Sequence, residues 1–188
     1  VAHENVRRRM TTEQWNELWD RRTPPSPEGA LPVVTFTESL TFHWNGDEIR
    51  VHHVDPAHTD GDAIIHFANA NVLHLGDTYF NGMYPFIDTS SGGTIDGMIA
   101  AAGRALALSD DATQIIPGHG ALSNKAELTA YRDMLTTVRD RIQDLIQEGK
   151  SRDEVIAANP TADLDADWGS GSMQPNIWVG IVYDSMQD

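Results

Sequence analysis

The sequence contains no cysteine and few basic residues. Without cysteine, disulfide frameworks, thiolate zinc sites and cysteine nucleophiles are all excluded. That absence is compatible with the cytosol and the periplasm alike, so the compartment stays open. The chain has only 13 Lys and Arg residues but 28 Asp and Glu residues, and its formal net charge is −15. A chain of that charge repels nucleic-acid phosphates and anionic membranes, so we expect neither as a partner.

Long apolar runs are missing as well. No stretch approaches the roughly 20 residues that span a bilayer, and the N-terminal segment lacks the apolar core of a signal peptide. A hydrophobic content of 40% is nevertheless enough for one buried core, and 188 residues are about the length of one domain. The composition therefore predicts a single globular domain over residues 1–188.

The pattern along the chain predicts mixed strands and helices. Asn45-Gly46 lies between two β-rich runs and is typical of a two-residue hairpin turn. Residues 3–21 are predicted to be helical, because Thr11 and Gln14 have the spacing of a capping box and Trp15, Leu18 and Trp19 form one apolar stripe. Further strands are expected at 63–67, 72–75 and 113–116, and further helices at 95–108, 124–148 (capped by Ser123) and 173–187.

Three short islands each place a metal-capable side chain beside glycine. They are A-H-T-D-G-D at 57–62, L-G-D-T at 75–78 and P-G-H-G at 117–120. Each has the pattern of a loop after a strand. The donors of His58, Asp77 and His119 suit zinc, manganese or iron. One such residue alone is usually ordinary loop chemistry, but three in order, each with its own glycine, predict a metal site.

The order of these islands resembles the second half of the metallo-β-lactamase superfamily, and the similarity runs from A-H-E-N-V at 2–6 to P-G-H-G. The resemblance implies an α/β fold with α+β layers, the αββα sandwich, in which two sheets pack together and metals sit at one end. It also implies that His58 completes one zinc site, that His119 completes a second, and that Asp77 bridges the two ions. Asp60 and Asp62 are expected to orient a ligating imidazole, with the alternative for Asp62 that it only caps a local turn.

One motif of that superfamily, H-x-H-x-D-H, is absent here. No H-x-H occurs, and His52-His53 is an adjacent pair with the wrong spacing. In relatives A-H-E-N-V-R follows the motif, so the chain resembles a member that lacks its first part. We expect an N-terminally incomplete sandwich, with a partial first half at about 1–54 and a second half at about 55–188. Each ion would then lose two or more ligands, and tight binuclear zinc binding by the isolated chain is not expected.

The resemblance implies a metal-dependent hydrolase in which metal-activated water attacks an amide, ester or similar bond of a small molecule. His58 and Asp77 would be its catalytic residues, and zinc, at up to two ions, its cofactor. β-Lactams and other cyclic amides or esters stay open as substrates. The aromatic and Met side chains after Asp77 either line an apolar pocket or pack beneath the missing half. They are Tyr79, Phe80, Met83, Tyr84 and Phe86.

Two other interpretations stay open. The chain is either a non-catalytic, truncated remnant that acts as an oligomeric or partner-binding module, or an active enzyme whose site is completed across a subunit interface. Loss of part of a sheet would leave apolar surface and an unpaired strand edge, and both favour association. We therefore expect a homo-oligomer, most simply a dimer.

Overall fold

A computed structural model describes residues 1–16 and 18–187, and within these ranges the chain forms nine strands, six α-helices and two short 3₁₀ helices. The strands are β1 (Ala2–His3), β2 (Gln14–Asn16), β3 (Arg21–Thr23), β4 (Thr35–Phe36), β5 (Ser39–Trp44), β6 (Asp47–His53), β7 (Ala63–Phe67), β8 (Val72–Phe80) and β9 (Gln114–His119). The helices are α1 (Glu4–Met10), α2 (Ile95–Leu108), α3 (Lys125–Gln147), α4 (Arg152–Ala157), α5 (Asp165–Trp168) and α6 (Pro175–Asp184). Within the described ranges, none of the helices has the length and apolar character needed to cross a bilayer.

A five-stranded sheet in the order β5-β6-β7-β8-β9 forms the centre of the structure. The first four strands run antiparallel, and the predicted hairpin between β5 and β6 is confirmed. Asn45 and Gly46 both have positive φ, at 52° and 77°, which is the conformation of a type I′ turn. β9 is parallel to β8, and α2 provides the long crossover that a parallel pair requires.

Helices α2 and α3 pack on one face of this sheet and form the core with it. Ile64, Leu73 and Ile115 of the sheet are fully buried. The helix predicted over 124–148 is confirmed, and its apolar stripe is buried as expected. It begins after Asn124, whose side chain accepts the amide hydrogens of Ala126 and Glu127, so the predicted Ser123 cap is wrong by one residue.

The helix predicted over 3–21 is wrong beyond Met10. Thr11 ends α1 instead of opening a helix, and the chain then turns into a hairpin of β2 and β3. The Gln14 side chain donates to the Arg9 carbonyl oxygen, and this hydrogen bond links the end of α1 to the start of β2. The predicted core stripe is exposed, at 41% for Trp15, 38% for Leu18 and 58% for Trp19. Glu17, which this prediction also covered, lies outside the described residues.

His3 fastens the N-terminal segment to a corner of the sheet. Its ring stacks on that of His53, with centroids 3.7 Å apart, and only 6% of the residue is exposed. Nδ1 accepts from the Asn5 amide at 3.3 Å, and Nε2 lies 2.9 Å from the Thr37 carbonyl oxygen. The neutral ring protonated at Nε2 therefore satisfies both contacts. Burial has the largest effect and lowers the pKa of His3, and the neighbouring His53 lowers it further. The Thr37 carbonyl, Glu4 and Asp60 raise the pKa, but by less.

The contribution of His3 to the free energy of unfolding is expected to fall as the pH drops below the ordinary histidine pKa of about 6.5. Because the folded-state pKa of His3 is lowered, this histidine binds a proton more readily in the unfolded chain than in the folded chain. Its contribution to the free energy of unfolding is therefore complete above that pH and is lost as the pH falls below it. His3→Asn keeps a side chain that can cap α1 but cannot titrate. Urea unfolding from about pH 7.5 to about pH 5.5 should show a shallower pH dependence for His3→Asn than for the wild type. Identical slopes would contradict this account.

Candidate metal centre

His58, Asp77 and His119 meet at one end of the central sheet. Asp77 lies in β8, and His119 is the last residue of β9, which is parallel to β8. His58 belongs to the loop between β6 and β7. Parallel strands bring their carboxyl ends to the same edge of a sheet, so the fold unites two islands that are about 40 residues apart. The structure therefore brings all three predicted ligands together.

The Asp77 carboxylate lies between the two imidazoles. Its Oδ2 is 3.9 Å from His58 Nε2, and its Oδ1 is 3.3 Å from His119 Nε2. Each oxygen thus faces a different histidine. A carboxylate that bridges two metal ions has this orientation, whereas a carboxylate that binds one ion does not need it. The His58 side chain is 17% exposed, Asp77 is 38% exposed and His119 is 55% exposed. The arrangement opens to solvent on the His119 side.

Gly118 allows β9 to pass close to Asp77. A Cβ at this position would overlap Asp77 Oδ1 and would lie 2.6 Å from the Gly76 carbonyl oxygen. Gly120, two residues on, has a φ of 96°, which side-chain-bearing residues rarely adopt. These two glycines of the P-G-H-G island therefore set the path of the backbone on either side of His119.

Asp62 lies beside the other nitrogen of His58. Asp62 Oδ1 lies 3.6 Å from His58 Nδ1, and the same carboxylate accepts from the Thr59 amide at 2.7 Å and the Thr59 hydroxyl at 3.0 Å. Asp62 thus faces the imidazole and caps the turn at once. Burial lowers the pKa of His58, but Asp62, Asp77 and Asp88 together outweigh it and raise the pKa above its ordinary value.

Asp60 is turned towards the N-terminal segment instead. Arg9 binds both of its carboxylate oxygens, at 2.8 Å and 2.9 Å, and Asn5 donates to its carbonyl oxygen at 2.8 Å. A Cβ on the next residue, Gly61, would lie 2.6 Å from a methyl group of Val6. Helix α1 therefore braces the loop that carries His58. Sequence reasoning missed Arg9 as a supporting residue, and the only signal was a basic run at 7–9 in an acidic chain.

The donors present are too few to complete a zinc site. A catalytic zinc normally takes three protein ligands and a water, whereas each position beside Asp77 has one imidazole nitrogen and one carboxylate oxygen. Within residues 1–16 and 18–187, no three His, Cys, Asp or Glu side chains are placed to hold one ion together. His53 is engaged elsewhere, with Nδ1 2.9 Å from the Asp62 carbonyl oxygen. The described residues fit part of a two-ion centre and complete neither position.

The side chains after Asp77, which were expected either to line an apolar pocket or to pack beneath a missing half, have different surroundings. Tyr79, Phe80 and Tyr84 are buried in the core, at 5% exposure or less. Phe86 instead packs edge-on against His58, with ring centroids 5.7 Å apart. It also borders a cavity of about 600 Å³. The other walls of this cavity include Asn16, Leu18, Asp88, Arg152 and Asp184.

No protein-family model and no curated protein sequence matches the chain. Solved structures do resemble it. The inverting sec-alkylsulfatase Pisa1 from Pseudomonas sp. is 16% identical with a TM-score of 0.69, over 88% of this chain and 27% of that one. The BLEG-1 B3 metallo-β-lactamase is 23% identical with a TM-score of 0.56, over 72% of this chain and 64% of that one. A metallo-β-lactamase from Pontibacter korlensis is 19% identical with a TM-score of 0.50, over 57% of this chain and 50% of that one.

The chain spans less than two thirds of the length of each of these proteins. At such identities the likeness establishes the architecture, and the chain has the mixed α and β metallo-β-lactamase fold that its sequence predicted. The division into a partial first half at 1–54 and a second half at 55–188 stays a prediction.

Proposed function

We propose that this metallo-β-lactamase-fold chain supplies the His58, Asp77 and His119 portion of a metal-dependent hydrolase centre. The observation that carries the proposal is the Asp77 carboxylate, which presents one oxygen to each of two imidazoles. The remaining donors would have to come from polypeptide other than the described residues, such as a second subunit. Zinc is the cofactor we propose, because imidazole nitrogen and carboxylate oxygen are both zinc ligands and zinc is the ion that the resemblance implies.

Each of the three residues has a separate task in this proposal. His58 and His119 would each offer Nε2 to a different ion, and the negative charge of Asp77 would offset the repulsion between the ions. Asp62 keeps His58 turned so that Nε2 faces Asp77. Bound zinc ions would supply a water of lowered pKa and a Lewis acid. The chain itself positions the two histidines, supplies the negative charge of Asp77 and places the aromatic ring of Phe86 beside His58.

We propose a small molecule as the substrate. The cavity next to Phe86 has about 600 Å³, which is within the range of roughly 300–1,000 Å³ for small-molecule sites. Cyclic amides, such as β-lactams, and esters are the bonds to test first. Sulfate esters join the panel, because the solved structure that covers 88% of this chain is a sec-alkylsulfatase.

Calorimetric titration with Zn²⁺ tests the metal part of the proposal. Because each position has only two donors here, we expect weak, micromolar-range binding, accompanied by proton release from His58, whose pKa is raised. His119→Ala should weaken that binding further, since it removes one of the two nitrogen donors. No heat of binding by the wild type at millimolar Zn²⁺ would overturn the proposal.

A second candidate function is a non-catalytic module that assembles with itself or a partner. It is favoured by the absence of any three-donor group in residues 1–16 and 18–187. The same titration separates the two candidates, because the module would show no metal binding and no difference between the wild type and His119→Ala. Hydrolysis of any compound in the panel that depends on added Zn²⁺ would reject it.

A further inference from the structure

The loop that carries His58, residues 57–62, is held from two sides, and we call it the His58 loop. On one side, backbone hydrogen bonds join it to the segment that leads into α2. The Asp88 amide donates to the His58 carbonyl oxygen at 2.9 Å, and the Asp60 amide donates to the Ser91 carbonyl oxygen at 3.0 Å. These bonds fix the backbone of the loop at the candidate ligand and again two residues further on.

Helix α1 contacts the other side of the His58 loop through side chains. Arg9 binds both carboxylate oxygens of Asp60, and the exposed fraction is 29% for the Arg9 side chain and 15% for the Asp60 side chain. A two-pronged contact between arginine and a carboxylate is stronger and more strictly oriented than an ordinary surface ion pair. Asp60 lies in the chain between His58 and Asp62, whose carboxylate faces the His58 ring. The contact with Arg9 therefore acts on the part of the loop that orients this ring.

The docking of α1 and the position of the His58 loop are coupled. Each of the seven residues of α1 is at least partly exposed, so the helix is not anchored by a buried side chain of its own. Its contacts with the loop are the Arg9 ion pair, the hydrogen bond from Asn5 to the Asp60 carbonyl oxygen, and Val6 against Gly61. All three contacts meet at two adjacent residues of the loop. A movement of Asp60 therefore changes the seat of α1, and a loss of α1 frees Asp60.

We propose that Arg9 is a positioning residue for His58, and that the docking of α1 determines how firmly His58 is presented to a metal ion. Arg9 acts through Asp60, two residues beyond the candidate ligand. The part of the inference that concerns the ion rests on the proposed function, whereas the part that concerns the orientation of His58 does not. Such a coupling is reciprocal, so an ion bound at His58 would in turn strengthen the docking of α1.

Amide hydrogen exchange of the metal-free protein tests the coupling, with Arg9→Ala and Arg8→Ala as matched variants. Both substitutions remove one arginine from α1, but the Arg8 side chain is 69% exposed and lies 3.7 Å from the same carboxylate, so its contact contributes little. Arg9→Ala should accelerate exchange of the Asp60 and Asp88 amides at least about tenfold, because both are bonded within the His58 loop contact. Arg8→Ala should leave both rates unchanged. Unchanged amides in the middle of β8 would show that the opening is local.

The ring of His58 gives a readout that a merely structural role of Arg9 would not move. In isotope-labelled, metal-free protein at one fixed pH, Arg9→Ala should shift the ring nitrogen signals of His58 by NMR and leave those of His119 unchanged, since His119 lies on β9. Arg8→Ala controls for the loss of one positive charge and should shift neither. Arg9→Lys keeps the charge but loses the planar fork, so it should restore the His58 signals only in part. Unchanged His58 signals in Arg9→Ala would overturn the inference.

Calorimetric titration of the same variants with Zn²⁺ tests the link to the metal ion. Arg9→Ala should weaken Zn²⁺ binding about tenfold, the lower end of the effect of an outer partner of a metal ligand, and Arg8→Ala should not. A wild type that binds no Zn²⁺ would remove the proposed function, and the ring signals of His58 would still decide whether Arg9 positions it. Faster exchange in the His58 loop of Arg9→Ala together with wild-type Zn²⁺ affinity would overturn the link between α1 and the ion.

Discussion

Replacing Asp77 with asparagine is expected to abolish measurable Zn²⁺ binding. Asparagine preserves the size of the side chain, but it offers one neutral oxygen in place of two charged ones. Each ion position would lose its carboxylate oxygen and retain a single imidazole. We expect a loss of affinity of at least about 100-fold by calorimetry, since the removal of even an outer partner of a metal ligand costs 10–100-fold. Any Zn²⁺-dependent turnover should disappear with it.

Asp111→Asn is the matched control for this substitution. It removes the same charge from an exposed residue next to the start of β9, at the opposite end of the strand from His119. Zn²⁺ binding by this variant should equal that of the wild type. Thermal unfolding without metal should be similar in both variants and the wild type, which separates loss of a ligand from loss of the fold. Wild-type Zn²⁺ affinity in Asp77→Asn would remove Asp77 from the site.

Gly97→Ala is expected to cause the largest loss of stability. Gly97 lies in the first turn of α2, where a Cβ would overlap the carbonyl oxygen of Pro56 and lie 3.0 Å from the Ala57 Cα. These neighbours are backbone atoms, so the helix and the loop would have to separate. We expect a decrease of about 2 kcal/mol or more in the free energy of unfolding, in the range of overpacked cores. Urea denaturation measures it directly.

Gly103→Ala provides the opposite result on the same helix. Gly103 lies two turns further along α2, and a Cβ there would meet nothing within 4 Å. Alanine is the better helix former, so we expect a gain of about 0.5–1 kcal/mol. Comparison of the two variants therefore separates the effect of helix propensity on stability from the effect of packing. A Gly97→Ala protein within about 0.5 kcal/mol of the wild type would show that the contact with Pro56 does not limit the helix.

Elements with local signals were predictable from the sequence. The Asn45-Gly46 turn and the stripe of α3 depend on residues close in the chain, and both were confirmed. The helix expected over 3–21 failed because Trp15, Leu18 and Trp19 have helical spacing, but no core lies beside them. Periodicity indicates which residues share a face, and only tertiary packing decides whether that face is buried.

The sequence indicates the three residues of the candidate centre but not the residues that hold their loops in place. His58, Asp77 and His119 carry recognisable glycine contexts, so each could be named before the fold was known. Arg9 could not, because its ion pair with Asp60 spans 51 residues and any acidic residue in the chain was an equal candidate. Likewise, the side chains that align across the central sheet are known only from the register of its five strands, since alternation alone does not say which strands are neighbours.

The parallel pairing of β8 with β9 also has a consequence for how the chain acquires its structure. Asp77 and His119 become neighbours only after the crossover through α2 has closed, and such long-range parallel pairing is slow compared with the formation of the local hairpin of β5 and β6. A metal ion added to the unfolded chain therefore finds these ligands dispersed. If an ion binds here, we expect it to stabilise the finished centre rather than to start folding.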